Sequence, residues 1–421
     1  MNIERNIMFI KHFKYLFNTF LLSLVAYTTC FPQYPVILKG IVRNAETKDA
    51  LPYANISIKN RAQGTITNQK GIFIFRLPAN SFRDTLIFSY LGYRTMQMAI
   101  KDMQSDSLMV DLEPVIYSIR EVTKQSSNAL DLLMEALKKI PDNYPRKHIG
   151  MTAFYRELIR ENDQVIQFIE AVIGINKASY ANRKDHDRMM ILKGRQKKEV
   201  DYTRLWQYVN FVDGPYEALE SDVCKYPDRF IVLPRTRYNF LVPKYFDSYN
   251  YQLMTITEPD TLDYYRISFK PETGQKRAVL EGNIYLDRQS LAIIRLEYSI
   301  SPYYTKKTSV IDNITQVELQ EMDIYTQTQS FNCIVNYQQL HDQWYLRDVQ
   351  INYRIILLWL NDLYLAEIDN SIQFVTTDFD KDLYYPINFW NPVRRKVPLN
   401  EQLGVPDEEF WEDYNYLLKE E

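Results

Sequence analysis

The sequence predicts a mainly β protein: an N-terminal seven-stranded β-sandwich, then a helix, then a large antiparallel β domain with the outline of a half-barrel. Three observations carry this. Residues 36–113 run as short alternating apolar and polar stretches, each closed by a turn signal. Residues 127–140 place apolar side chains at helical spacing. From residue 151 onward the alternation returns in longer stretches.

In the first part, strands are expected at Val36 to Val42, Tyr53 to Ile58, Gly64 to Thr67, Gly71 to Leu77, Thr85 to Tyr90 and Ser107 to Leu112. The segments between them, among them Asn44 to Lys48 and Asn68 to Lys70, are rich in residues that favour turns. Gly71 and Gly92 stand where a turn would need a positive φ. Residues 114–150 read as a linker and an amphipathic helix. Ser127 or Asn128 caps it, Leu130, Leu133, Met134, Leu137 and Ile140 form its apolar stripe, and Pro141 closes it.

Residues 151–421 make the second domain. Expected strands are Thr152 to Ile159, Gln164 to Ile175, Tyr264 to Phe269, Val279 to Leu286, Leu291 to Tyr298, Met322 to Thr328, Phe331 to Tyr337 and Trp344 to Tyr353. Residues 177–250 are less regular, and the cluster Lys193, Arg195, Lys197 and Lys198 reads as a solvated loop. The aromatic pairs Tyr384-Tyr385, Phe389-Trp390 and Phe410-Trp411 lie in a C-terminal tail expected to pack on its own domain.

The pieces Gly40-Ile41-Val42, Leu51-Pro52-Tyr53-Ala54, Gly64-Thr65, Thr67-Asn68, Gly71-Ile72-Phe73 and Ser89-Tyr90-Leu91-Gly92-Tyr93, in that order, resemble the carboxypeptidase regulatory-like domain. That resemblance implies a transthyretin-like sandwich, an accessory module in Gram-negative envelope proteins, and no peptidase activity. In the second domain, Tyr265-Arg266-Ile267-Ser268-Phe269-Lys270-Pro271, Gly282-Asn283-Ile284-Tyr285-Leu286-Asp287 and Ala292-Ile293 resemble the repeat of open half-barrels similar to the lipoprotein-localisation carriers. This second resemblance implies a sheltered apolar ligand.

Lys11 and Lys14 precede the apolar run from Tyr15 to Ala26, so residues 1–30 read as a secretory signal, and the expected location is the periplasm or the periplasmic face of the outer membrane. Ala26-Tyr27-Thr28 offers a cleavage site; lipidation of Cys30 is the alternative, with Tyr27 standing where a lipobox expects Leu. A formal net charge of -3 disfavours nucleic acid as a partner. Cys224 and Cys333 remain in the mature chain, free to form a disulfide or to stay buried as thiols.

No HExxH, GxSxG, GxGxxG or P-loop pattern is present. His148, His186 and His341 have no motif around them, and His341 beside Asp342 reads as a hairpin turn. No catalytic, cofactor-binding or metal-ligating residue is nominated, and no cofactor is expected. The reading is a non-enzymatic envelope protein: a sandwich for contact with an envelope partner and a β domain that carries or senses an apolar ligand. A scaffold without a ligand cavity is the alternative, and a hydrolase with an unrecognised site is the third reading.

Overall fold

The computed structural model describes residues 36–78, 80–103, 107–115, 126–182, 184–196, 214–226, 239–256, 264–275, 279–305, 310, 313–388, 391–395, 397–403 and 414–416. The signal segment, Cys30, Lys197, Lys198, Phe389-Trp390 and Phe410-Trp411 lie outside them.

Seven strands build the N-terminal part: β1 (Val36–Asn44), β2 (Asn55–Ile58), β3 (Gly64–Ile66), β4 (Ile72–Leu77), β5 (Thr85–Ser89), β6 (Met96–Ala99) and β7 (Ser107–Leu112). They form a three-stranded sheet, β4-β1-β7, and a four-stranded sheet, β3-β2-β5-β6. Alternate residues point inward, so Val42, Phe73, Phe75, Leu86, Phe88 and Val110 fill the space between the sheets. Gly71 and Gly92 adopt φ of 71° and 88°, as their turns require. The unexpected strand is β6, whose sequence Met-Gln-Met-Ala has little β-branching and is exposed or half-buried.

Helix α1 (Ser126–Asn143) contains Pro141 in its last turn instead of ending before it. A proline there costs one ladder hydrogen bond, and the turn still closes, with the Tyr144 amide donating to the Ile140 carbonyl at 3.1 Å. Its most deeply buried side chains are Ala129, Leu133, Ala136 and Ile140, one edge of the expected stripe; Leu130, Met134 and Leu137 are partly buried. The two alanines allow the helix to lie close against the sheet.

The remaining strands are β8 (Ile149–Glu161), β9 (Gln164–Lys177), β10 (Arg188–Gln196), β11 (Tyr249–Ile256), β12 (Tyr264–Pro271), β13 (Leu280–Asp287), β14 (Ile293–Ile300), β15 (Ile324–Leu340), β16 (Gln343–Trp359) and β17 (Tyr364–Asp380), with short helices α2 (Pro215–Glu220) and α3 (Asn313–Glu321). They form one antiparallel sheet of ten strands in the order β10-β9-β8-β17-β16-β15-β14-β13-β12-β11. Among the described residues its ends, β10 and β11, do not pair, so the sheet they form is open.

Three expectations are corrected. Lys193 and Arg195 belong to strand β10, because Arg195 has a buried acceptor on β9. The expected strands Met322 to Thr328 and Phe331 to Tyr337 merge into one strand, β15, which starts at Ile324 after a turn at Met322 and Asp323 and is kinked by a register shift between Thr328 and Ser330. Strand β17 was not expected, since Asp369, Asn370, Ser371 and Thr376 break its apolar pattern; it closes the long-range pairing of β16 with β8.

The inner face of the sheet is filled by the chain itself. Tyr155 (β8), Phe331 (β15), Phe374 (β17), Tyr251 (β11) and Phe240 are buried there together with Leu133 and Ile140 of α1 and Leu219 of α2. On the outer face, Phe154, Val172 and Val375 pack with Ile66 of β3, which fixes the sandwich to the sheet. The Gln63 side chain donates to Asp378 at 2.9 Å across the same contact. The tail lies beside it. Tyr385 exchanges two 2.9 Å hydrogen bonds between its backbone and the Asn176 side chain, and its ring covers Gly174, where a Cβ would lie 2.7 Å from it.

Candidate functional site: a pocket between sandwich and sheet

Two buried polar groups account for the strongest electrostatics. On the inner side, Lys177 ends β9 and places its ammonium 2.9 Å from both Asp187 and Asp222. Asp222 also accepts from Tyr180 at 2.5 Å and from Tyr337 at 2.6 Å. Burial works against the Lys177 ammonium, yet the two carboxylates outweigh it and hold its pKa above the ordinary lysine value. With every partner inside the protein, this cluster ties α2 and its following turn to β9 and β15. On the outer side, the Arg156 guanidinium donates to Glu170 at 2.9 and 2.6 Å, and Arg195 reaches the other Glu170 oxygen at 2.6 Å. Both groups read as structural, since each charge is met by an opposite one.

A third polar group faces an opening. Where the sandwich turn Tyr90 to Tyr93 meets the outer face of the sheet, a cavity of about 130 Å³ is lined by Tyr90 and Tyr93 from one side and Ile294, Arg295, Trp344 and Arg347 from the other. Two β-bulges form its floor. Opposite Tyr285 and Leu286, strand β14 carries the extra residue Ile294 between Arg295 and Ile293. Opposite Asn336 and Tyr337, strand β16 carries the extra residue Arg347 between Asp348 and Leu346. Bulges re-aim side chains and recur beside binding sites. A relay of side chains links them: Arg295 donates to Asn336 at 2.8 Å, Asn336 donates to Asp348 at 2.8 Å, and Arg347 donates to Asp348 at 2.6 Å. Nothing in the sequence marked this pocket except the Ser89 to Tyr93 motif, because bulge positions depend on pairing between distant strands.

The histidines do not converge. His148 pairs with Asp185 at 2.7 Å, His186 is exposed, and His341 occupies the β15–β16 turn with a φ of 54°. Among the described residues no group of His, Cys, Asp and Glu could hold a metal ion. Cys224 and Cys333 are free and buried, and burial pushes both thiols up to about 12. The disulfide is therefore absent, and both behave as the buried structural thiols that the alternation around Cys333 suggests.

The two-sheet sandwich with its Asn68 to Gly71 turn and Tyr90 to Tyr93 turn is a fold with known relatives. Residues 38–123 match the CarboxypepD_reg-like domain family. The matched segment includes the Tyr90 to Tyr93 turn that forms one wall of the pocket. Among curated proteins no relative matches the chain. Solved structures similar to it include a DUF1329 family protein from Desulfovibrio piger, 10% identical over 62% of this chain and 95% of that one, with a TM-score of 0.26. A Bacteroides fragilis protein of unknown function, described as membrane-associated, is 9% identical over 82% of this chain and 97% of that one, with a TM-score of 0.15. Lipovitellin, in a structure concerned with lipid–protein interactions, is 9% identical over 60% of this chain and 28% of its own, with a TM-score of 0.21. Likeness at this level assigns no ligand and no activity here.

Proposed function

We propose that the chain is a non-enzymatic cell-envelope interaction protein, in which the CarboxypepD_reg-like domain and the ten-stranded sheet form one unit and the tip of the β16–β17 hairpin meets a protein partner. The observation that carries this is an exposed apolar row. Tyr325 lies opposite Leu358, and Leu358 opposite Leu365, on one face of three neighbouring strands. Their exposures are 43%, 37% and 60%, and the turn adds Leu360 at 44% and Leu363 at 88%. Contiguous exposed apolar side chains rimmed by polar ones mark interaction surfaces.

Acidic residues stand beside it: Asp323, Asp362 and Glu367, of which Glu367 is already paired with Arg354 at 3.0 Å, and a basic protein rim would complement the remaining two. The envelope location is supported by Lys11, Lys14 and the apolar segment after them. Among the described residues no helix is long and apolar enough to cross a membrane. The scaffold reading is favoured over the carrier reading because the described inner face is occupied by the chain's own aromatic side chains, α1 and α2.

The test places a photo-crosslinking amino acid at position 363 and irradiates the native envelope. A single protein adduct that disappears when Leu358 and Leu365 are both changed to Asp supports the proposal. Crosslinks to lipid alone, or an adduct indifferent to those changes, overturn it. The sandwich and sheet cores do not include either leucine, so the double variant keeps its fold.

A further inference from the structure

We infer that the pocket between the CarboxypepD_reg-like domain and the sheet binds one neutral, hydroxyl-bearing six-membered ring, a hexose either free or at the end of a glycan. This goes beyond the interaction reading and rests on different residues.

The size fits one ring. The cavity measures about 130 Å³ and is open on one side, so it can seat one ring whose outer edge stays in solvent. The walls fit a ring with an apolar face and a polar edge. Tyr90 and Tyr93 stand edge to face, with ring centres 5.4 Å apart, and present aromatic surface. Opposite them the polar groups are donors in excess. The Trp344 indole N–H is buried and has no acceptor among the described residues. Arg295 uses Nε on Glu297 and Nη1 on Asn336, so its Nη2 has no protein acceptor. Arg347 uses Nε on Asp348, so neither Nη has one. The two side chains are only 18% and 13% exposed, so most of each guanidinium is withdrawn from bulk water.

A pocket with surplus donors calls for an acceptor-rich ligand. Its charge decides which kind. Arg295 is already paired with Glu297 at 2.6 Å and Arg347 with Asp348 at 2.6 Å. The guanidinium charges are therefore met, and a carboxylate or phosphate entering the pocket would bring an uncompensated negative charge next to two others. Hydroxyl and ring oxygens accept from the indole and guanidinium N–H groups without that cost, and the apolar face of a sugar ring lies against tyrosine.

The test uses the full mature chain and saturation-transfer NMR followed by calorimetry, with methyl α-glucoside, methyl α-galactoside and methyl α-mannoside as probes and glucuronate as the charged control. At least one neutral glycoside is expected to bind, and glucuronate to bind more weakly. Trp344→Phe keeps an aromatic side chain but removes the N–H together with the five-membered ring of the indole, and should weaken binding about fivefold. Thr95→Trp, at an exposed lining position, fills the opening without touching the core and should abolish binding. Tighter binding of a disaccharide than of its monosaccharide assigns the end of a glycan; equal binding assigns the free sugar. Absence of transfer to all three glycosides, preference for glucuronate, or binding that survives Thr95→Trp would each overturn the inference, and none of these outcomes bears on the hairpin-tip contact.

Discussion

Glu157 offers a quantitative check on how the inner face of the sheet is packed. It points inward from β8, is 3% exposed, and accepts hydrogen bonds from Gln167 at 3.1 Å and Asn370 at 3.3 Å. Burial raises its pKa from 4.5 to about 7, against the opposing effect of the hydrogen bonds from Asn370 and Gln167. The sign follows from proton linkage. Between pH 4.5 and 7 the folded protein keeps a proton that the unfolded chain has released, so stability falls as pH rises through that window. The contribution is complete below pH 4.5 and lost above pH 7. The difference between 4.5 and about 7, at 1.36 kcal/mol per pH unit, is about 3 kcal/mol. Glu157→Gln removes the titration and retains an acceptor for the two amides. Urea unfolding of both proteins at pH 4 and pH 8, followed by tryptophan fluorescence, isolates this term, because distant titrating groups cancel in the comparison. The variant should gain about 3 kcal/mol relative to the parent between the two pH values. A change below about 1 kcal/mol would refute the burial of this carboxyl group.

Lys177→Met leaves Asp187 and Asp222 buried without their common cation, and urea unfolding at pH 7 should show a loss of about 3–5 kcal/mol. A loss below about 1 kcal/mol would mean that water reaches the cluster. Ala136→Leu inserts a larger side chain between α1 and the sheet and should cost about 1–3 kcal/mol by the same assay; no loss would place this helix face elsewhere. Gly174→Ala puts a methyl group against the Tyr385 ring, so limited proteolysis should cut the tail faster than in the parent, and an unchanged rate would contradict the docking of the tail. Cys224 and Cys333 should resist a thiol reagent at pH 8 in the folded protein and react on unfolding, whereas rapid native labelling would show that they are accessible.

Much of the fold was legible because local chemistry and final structure agree. The Gly71 turn, the Ser107 to Leu112 strand and the inward Cys333 follow from turn propensity and two-residue periodicity, which need no knowledge of neighbours. Strand β10 was hidden because Lys193 and Arg195 look like solvent residues until Glu170 is known to lie beside them. Strand β17 was hidden for the same reason: Asn370 and Thr376 are buried polar residues whose partners, Glu157 and the Leu346 carbonyl, come from other strands. The pocket was the least legible feature. It depends on an extra residue in each of two strands and on where the sandwich turn lands, and neither is encoded within a short window.

The central claim, that the sheet is an interaction scaffold whose inner face is filled by the chain itself, is tested most directly by what leaves the native envelope with it. The mature protein, purified from that envelope and extracted with organic solvent, should release no stoichiometric acyl-chain lipid. One lipid per chain, recovered from the folded protein and lost when the inner face is unfolded first, would contradict the account and restore the carrier reading.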